Sequence, residues 1–196
     1  MSRFILASGS QIRRQILTDA QVSFDVIKSG TDEEALKADN AHLSPADMAL
    51  FLARAKAADV SAREAGALVL GADQTMELEG ALLDKLSRRE LAPDRLRAMR
   101  GKPHHLHAGL ALCRDGETVW THQQTSTLHV RDFSDAFLER YLQTAGDELT
   151  ASVGAYAYEG VGAQLFDRVE GDFHAVLGLP LLPLLAALGQ CGVIEA

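Results

Sequence analysis

Ser8, Ser10 and Arg13 stand together in the run Leu6-Ala7-Ser8-Gly9-Ser10-Gln11-Ile12-Arg13-Arg14, and small hydroxyls followed by guanidinium groups can hold phosphate oxygens. Arg3 to Ala7 reads as a buried strand, and residues 11–19 as a helix with Ile12, Ile16 and Leu17 on its apolar side. Ser10 fits the N-cap, so free backbone N–H groups and the positive helix end face the turn. Arginine forks on such a helix add bidentate pairing to phosphate. Taken alone, the segment reads as an ordinary helix start with two solvated arginines.

Asp73 follows the continuous apolar run Ala67 to Ala72, which suits a central strand buried on both faces and ending at the aspartate. A carboxylate at a strand end of an open α/β sheet lies where ligands usually bind. Spacing alone makes it an aspartate that caps the next turn. Asp32, Glu33 and Glu34 form an acidic cluster whose ordinary fate is a solvated loop. Lys56, Lys85 and Lys102 each read equally as surface residues. His105 and His107 would share a strand face that could hold zinc or iron, with His104 pointing away. No paired carboxylate is near in sequence, so a histidine metal centre is not expected.

The elements that must carry these groups alternate. Val22 to Ile27 reads as a half-buried strand, and Ser29 to Asn40 as a polar loop. Ser44-Pro45 opens a long helix with an apolar stripe of Met48, Leu52, Ala55 and Val60. Met76 to Leu83 forms a hairpin around Glu79-Gly80, and Arg89 to Met99 a helix. His105 to Cys113 and Val119 to Val130 flank the hairpin turn Asp115-Gly116. Ser134 caps a helix with Phe137, Leu138, Tyr141 and Leu142 inside, Ala163 to Val169 is a further strand, and Pro180 to Leu188 a closing helix. Strand–helix alternation with two hairpins gives an α/β fold with a mixed sheet.

The chain has 196 residues, enough for one domain with a real core, and 47% apolar with 23% charged residues is ordinary for a soluble globular protein. A net charge of −8 argues against a sequence-independent grip on nucleic acid, leaving room for a small anion where basic residues are concentrated. Cys113 and Cys191 form no C-x-x-C pair and suit reduced thiols in a cytosolic protein. Met1-Ser2-Arg3 leads into a short strand rather than a signal peptide, and Val176 to Leu188 is too short to span a bilayer. No linker divides the chain, so residues 1–196 are expected to form a single domain. A phosphate-binding kinase or GTPase loop and a serine-hydrolase elbow are both missing from the sequence.

The opening run resembles the start of the Maf family, nucleoside triphosphate pyrophosphatases whose motif runs Leu-Ala-Ser-x-Ser-Pro-Arg-Arg. Further stretches match in the family's order: Gly71-Ala72-Asp73-Gln74, Lys85, Gly101-Lys102-Pro103-His104, Gly154-Ala155-Tyr156 through Glu159-Gly160, and Gly171-Asp172-Phe173 to Gly178-Leu179-Pro180-Leu181. The resemblance spans nearly the whole chain. It implies an inosine-triphosphatase-like fold with two lobes around a cleft, a homodimer, and release of a nucleoside monophosphate and pyrophosphate in the cytoplasm. By the same resemblance Asp73 activates the attacking water or helps hold the metal, Glu33 is a ligand for Mg²⁺ or Mn²⁺, and Lys56, Lys85 and Lys102 are cations for the phosphates. Ser8, Ser10, Ile12 and Arg13 would bind substrate.

Gln74 and Glu159 together resemble the branch acting on 7-methyl-GTP. A carboxylate accepts from the N1–H and exocyclic amine of guanine and favours the positive charge of the methylated base, whereas an amide can pair with a uracil or thymine edge. Three positions depart from the pattern. Gln11 replaces the usual proline, and Ile12 replaces the arginine of the pyrimidine branch or the tryptophan of the 7-methyl-GTP branch. Asp84 precedes Lys85 where the family has glycine. The expected activity is therefore 7-methyl-GTP pyrophosphatase, with dTTP/UTP hydrolysis or a catalytically weak nucleotide-binding regulator of cell division as alternatives.

Overall fold

A computed structural model describes residues 3–195, so Met1 and Ser2, read above as the lead into the first strand, lie outside the described residues. In chain order the elements are β1 (Phe4–Leu6), α1 (Gln11–Asp19), β2 (Asp25–Val26), α2 (Glu33–Asp39), α3 (Pro45–Ser61) and β3 (Leu68–Leu78). β4 (Ala81–Leu83), α4 (Ala92–Met99), β5 (Pro103–Arg114), β6 (Glu117–Val130) and α5 (Asp135–Thr144) follow. The chain closes with α6 (Glu148–Ala151), β7 (Phe166–Glu170), α7 (Phe173–Val176) and α8 (Leu181–Gln190). Among the described residues two compact units result, one of residues 3–74, 107–124 and 172–195, the other of Thr75–Leu106 and Thr125–Gly171.

In the first unit the strands lie in the order β2-β1-β3-β5-β6. β1 pairs in parallel with both β2 and β3, Ile5 standing opposite Asp25 and Val69. β5 and β6 are joined by Asp115-Gly116, whose φ values of 50° and 83° suit the tight turn of an antiparallel pair. The period of two along β3 puts Leu68, Leu70 and Ala72 on one face and Val69, Gly71 and Asp73 on the other. The first face packs with Phe4 and Leu6 of β1, Ile16 and Leu17 of α1, and Leu184 and Leu188 of α8. On the second face Ile5, Ala7 and Val69 meet Val60 of α3.

Helix α3 lies directly on the strand backbone because both surfaces are small there. A Cβ added to Gly71 would stand 2.0 Å from the Ala53 carbonyl oxygen, and one on Gly109 would stand 2.5 Å from the Ala49 carbonyl carbon. Ala49, Ala53 and Ala57, four residues apart, form the helix seam. Lys56 beside that seam is thereby carried into the interior.

In the second unit the far end of β3 pairs antiparallel with β4 through the Glu79-Gly80 turn, and β6 pairs antiparallel with β7. Its core gathers Leu96 and Met99 of α4, Leu138 and Tyr141 of α5, Phe133, Leu149 and Leu165, all buried. The mixed sheet and α/β class are as the sequence predicts. Among the described residues no helix is long and apolar enough to cross a membrane.

Several boundaries differ from expectation. Residues 33–39 form helix α2 rather than a loop: Asp32 accepts a hydrogen bond from the Ala35 N–H at 3.1 Å, and Glu33 and Glu34 occupy the positive end. The strand expected to end at Asp73 continues to Leu78, so Asp73 and Gln74 are strand residues with opposed side chains. Residues 161–165 make a 3-10 turn, and β7 begins only at Phe166. In α3, Ala55 is only half-buried while Lys56 takes a buried place.

Candidate functional site

Lys56 and Asp73 are each 7% exposed, and the lysine Nζ lies 2.5 Å from Asp73 Oδ1. Strand alternation points Asp73 at α3, and the alanine seam brings the helix close enough for a lysine to reach it. Glu33, the first residue of α2, sets Oε2 3.0 Å from the same Nζ while its side chain stays about half exposed. Two carboxylates from separate elements thus converge on one ammonium. Removing such charges from water is costly, and their mutual attraction offsets that cost only while all partners remain.

Arg13 approaches from α1. Ser10 caps the helix by accepting from the Arg13 N–H at 3.4 Å, as its place in the sequence implies. The Arg13 side chain donates from Nε to the Gly178 carbonyl at 2.9 Å, and from Nη1 to the Ala72 carbonyl at 2.9 Å and Ser8 Oγ at 3.4 Å. Ser8 Oγ also accepts from the Ser10 N–H at 3.2 Å. Much of the fork therefore holds α1, β3 and the turn before α8 together, and the Nη2 edge is what remains to meet an anion. Burial lowers the Arg13 pKa, while the charges of Asp73 and Glu33 act the other way. Ile12 is half-buried against the core beneath α1.

Gln74, on the opposite face of β3 from Asp73, donates both amide hydrogens, from Nε2 to the Ala175 carbonyl at 3.0 Å and the Val176 carbonyl at 3.1 Å. The reverse orientation would set the amide oxygen against two carbonyl oxygens, so the network assigns the flip. Oε1 is the group left to meet a ligand. Gly178, at φ 88°, makes room here: a Cβ would stand 3.3 Å from Arg13 Nη2 and 3.4 Å from Gln74 Oε1. Gly178 and the carbonyls around it act as scaffold here, a role that no local signal in the sequence carries.

The second unit holds the other candidates. Lys85 is exposed in the segment after β4, and Glu159 is exposed in the turn before residues 161–165. Lys102 pairs with Glu79 at 2.9 Å. Two of the histidines considered for a metal have partners here: His104 is buried with Nε2 2.7 Å from Tyr156 Oη, and His105 Nδ1 lies 3.0 Å from Thr127 Oγ1. The structure brings Ser8, Ser10, Arg13, Glu33, Lys56 and Asp73 into one hydrogen-bonded and charged neighbourhood of the first unit.

No group of three or more His, Cys, Asp or Glu side chains among the described residues is arranged to hold a metal ion. Glu33 and Asp73 supply two carboxylates within reach of one point, the Lys56 ammonium. By donor type two carboxylates suit Mg²⁺ or Mn²⁺, hard ions that complete their shells with water and substrate phosphates, and here both carboxylates meet the Lys56 ammonium. They do not suit a softer metal wanting imidazole or thiolate.

Comparison with known proteins bears on what such a site serves. The family profile described as Maf-like protein matches residues 3–191. A protein of Maricaulis maris named nucleoside triphosphate pyrophosphatase is 65% identical over 195 residues, with all of both chains covered. A nucleoside triphosphate pyrophosphatase of Nitrobacter hamburgensis is 45% identical, covering 97% of this chain and 95% of its own. A Rhizobium meliloti protein named 7-methyl-GTP pyrophosphatase is 44% identical, covering 98% of each.

Proposed function

The chain belongs to the Maf-like proteins, and on that premise we propose that it is a nucleoside triphosphate pyrophosphatase. The observation that carries the reading is the buried Lys56–Asp73 pair with Glu33 at its edge, beside the hydroxyls and guanidinium of Ser8, Ser10 and Arg13. A carboxylate poised among cations and hydroxyl donors is suited to water attack on a phosphoanhydride. A site for nucleotide binding alone has less need of it.

In the proposed reaction, water attacks the α-phosphorus, its oxygen forming the new P–O bond. The bond to the bridging oxygen of the β-phosphate breaks, and that oxygen leaves with the electron pair as pyrophosphate. Asp73 takes the proton from the attacking water. Glu33 and Asp73 would hold Mg²⁺ or Mn²⁺, which when bound clamps phosphates and lowers the pKa of water. Arg13 Nη2 and the Ser8 and Ser10 hydroxyls orient the phosphates. Lys56 pairs with Asp73 and holds its carboxylate in place, and Lys85 and Lys102 neutralise charge on the departing pyrophosphate.

The preferred substrate in this proposal is 7-methyl-GTP. Gln74 has its donors committed, so its Oε1 selects a base edge that offers N–H groups. Glu159 accepts from such an edge and favours the positive charge of the methylated ring. The name of the Rhizobium meliloti relative supports the same preference. Ile12 supplies an apolar contact without an aromatic ring to stack. The enzyme is proposed to work in the cytoplasm as a homodimer.

Pyrophosphate release from 7-methyl-GTP, GTP, UTP and dTTP with Mg²⁺ or Mn²⁺, alongside Asp73→Asn, tests this. Turnover led by 7-methyl-GTP and lost in the variant is expected. Turnover led by UTP or dTTP would keep the chemistry and overturn the base preference. Binding without turnover of any triphosphate would identify a regulator instead.

A further inference from the structure

Beneath the turn that carries Glu159, the second unit contains a buried polar contact that the proposed chemistry does not use. His104, at the start of β5, is fully buried, and its Nε2 lies 2.7 Å from Tyr156 Oη. Its Nδ1 is buried with no hydrogen-bond partner among the described residues. Burial, helped by the charges of His105 and His129, pushes the His104 pKa down to about 3, so the ring is neutral near pH 7. Burial also raises the Tyr156 pKa, which keeps its hydroxyl proton in place. The tautomer leaving fewer groups unpaired has the Tyr156 O–H donating to Nε2, with the imidazole proton on Nδ1.

The chain around Tyr156 is held in a conformation it would not choose. Ala155 has φ 59°, a strained value for a residue with a Cβ. Gly154 lies so close under the Tyr156 ring that a Cβ there would stand 2.2 Å from Cε1. Ser152 Oγ accepts from the Tyr156 N–H at 2.9 Å and donates to the Tyr156 carbonyl at 2.5 Å. Tyr141 donates its hydroxyl proton to the Ala155 carbonyl at 3.0 Å. The Tyr156 and Phe166 rings meet edge to face with centroids 4.9 Å apart. Strain and an unpaired buried nitrogen persist only where the surroundings over-determine them, and such places mark constrained sites.

We propose that the His104–Tyr156 hydrogen bond is a positioning lock that fixes the 152–160 turn and thereby sets how Glu159 meets the base. His104 and Tyr156 are positioning residues and touch no substrate. The inference rests on the reading of Glu159 given above. It gives the lock a part in the choice between nucleotides and none in the phosphate chemistry.

Tyr156→Phe removes only the hydroxyl and keeps the ring. The ratio of kcat/KM for 7-methyl-GTP over UTP should fall about tenfold or more, carried by KM for 7-methyl-GTP, with kcat for UTP nearly unchanged. Amide hydrogen exchange should quicken locally over residues 155–159. His104→Gln, which restores an acceptor for the Tyr156 hydroxyl, should keep most of the ratio. Glu159→Gln should lower the ratio too, and the double variant should fall no further than the lower single one. A uniform loss of kcat for both nucleotides, or an unchanged ratio in Tyr156→Phe beside a lowered one in Glu159→Gln, would overturn the lock alone. An unchanged ratio in Glu159→Gln would overturn the base reading and the lock's role with it.

Discussion

Lys56 Nζ lies 2.5 Å from Asp73 Oδ1, and both side chains are about nine-tenths buried. The pair joins the face of β3 turned toward α3 to the helix that covers it, so its loss affects both fold and chemistry.

Asp73→Asn should therefore lower turnover by at least about a hundredfold, the usual scale of a positioned proton acceptor. Lys56→Met should cost stability on the order of 3–5 kcal/mol by leaving Asp73 buried without its cation. The double variant Lys56→Met with Asp73→Asn should regain most of that stability and none of the activity. Urea unfolding and pyrophosphate release on the three proteins check this, and a double variant as unstable as Lys56→Met alone would contradict it.

Glu33 is half exposed and reaches the same ammonium at 3.0 Å. Glu33→Gln should leave stability within about 0.5 kcal/mol, as for most exposed positions. If Glu33 helps hold the metal, the Mg²⁺ concentration giving half-maximal turnover should rise on the order of tenfold. An unaltered metal requirement would remove Glu33 from that role.

His104 makes stability depend on pH. Its folded pKa of about 3 lies below the ordinary 6.5, so the unfolded chain binds the extra proton between those values. Stability from this residue is fully present above about pH 6.5 and is lost as pH falls toward 3. Between pH 7 and pH 4 the native protein should lose roughly 3 kcal/mol more than His104→Gln does. Denaturant titrations at the two pH values compare them directly, and equal losses would show that the imidazole is not held neutral.

Gly71 should tolerate no side chain. A Cβ would stand 2.0 Å from the Ala53 carbonyl oxygen, a backbone atom within helix α3. Gly71→Ala should cost about 3 kcal/mol or more by forcing the helix off the strand. A thermal midpoint close to that of the unaltered chain would mean that α3 does not rest on β3 in solution.

The family, the α/β class and most elements were legible along the chain, because motifs, caps and periodicities are local. Ser10 as cap, the Glu79-Gly80 and Asp115-Gly116 turns, and the helices starting at Pro45 and Asp135 needed only neighbouring residues. The acidic run at residues 32–34 reads as a loop because its charge masks a helix start capped by Asp32. Asp73 looks like a strand end because polar residues follow it, yet β3 runs on to Leu78 through pairing with β4. What tertiary structure alone decided was which face each side chain took and what met it there. A lysine in a helix is ordinarily solvated, and only the close approach of α3 to Gly71 carries Lys56 inward to Asp73. Likewise the donors of Gln74 and Nε of Arg13 are committed to carbonyls more than a hundred residues away, contacts that no local pattern encodes because chain folding alone brings them within hydrogen-bond reach.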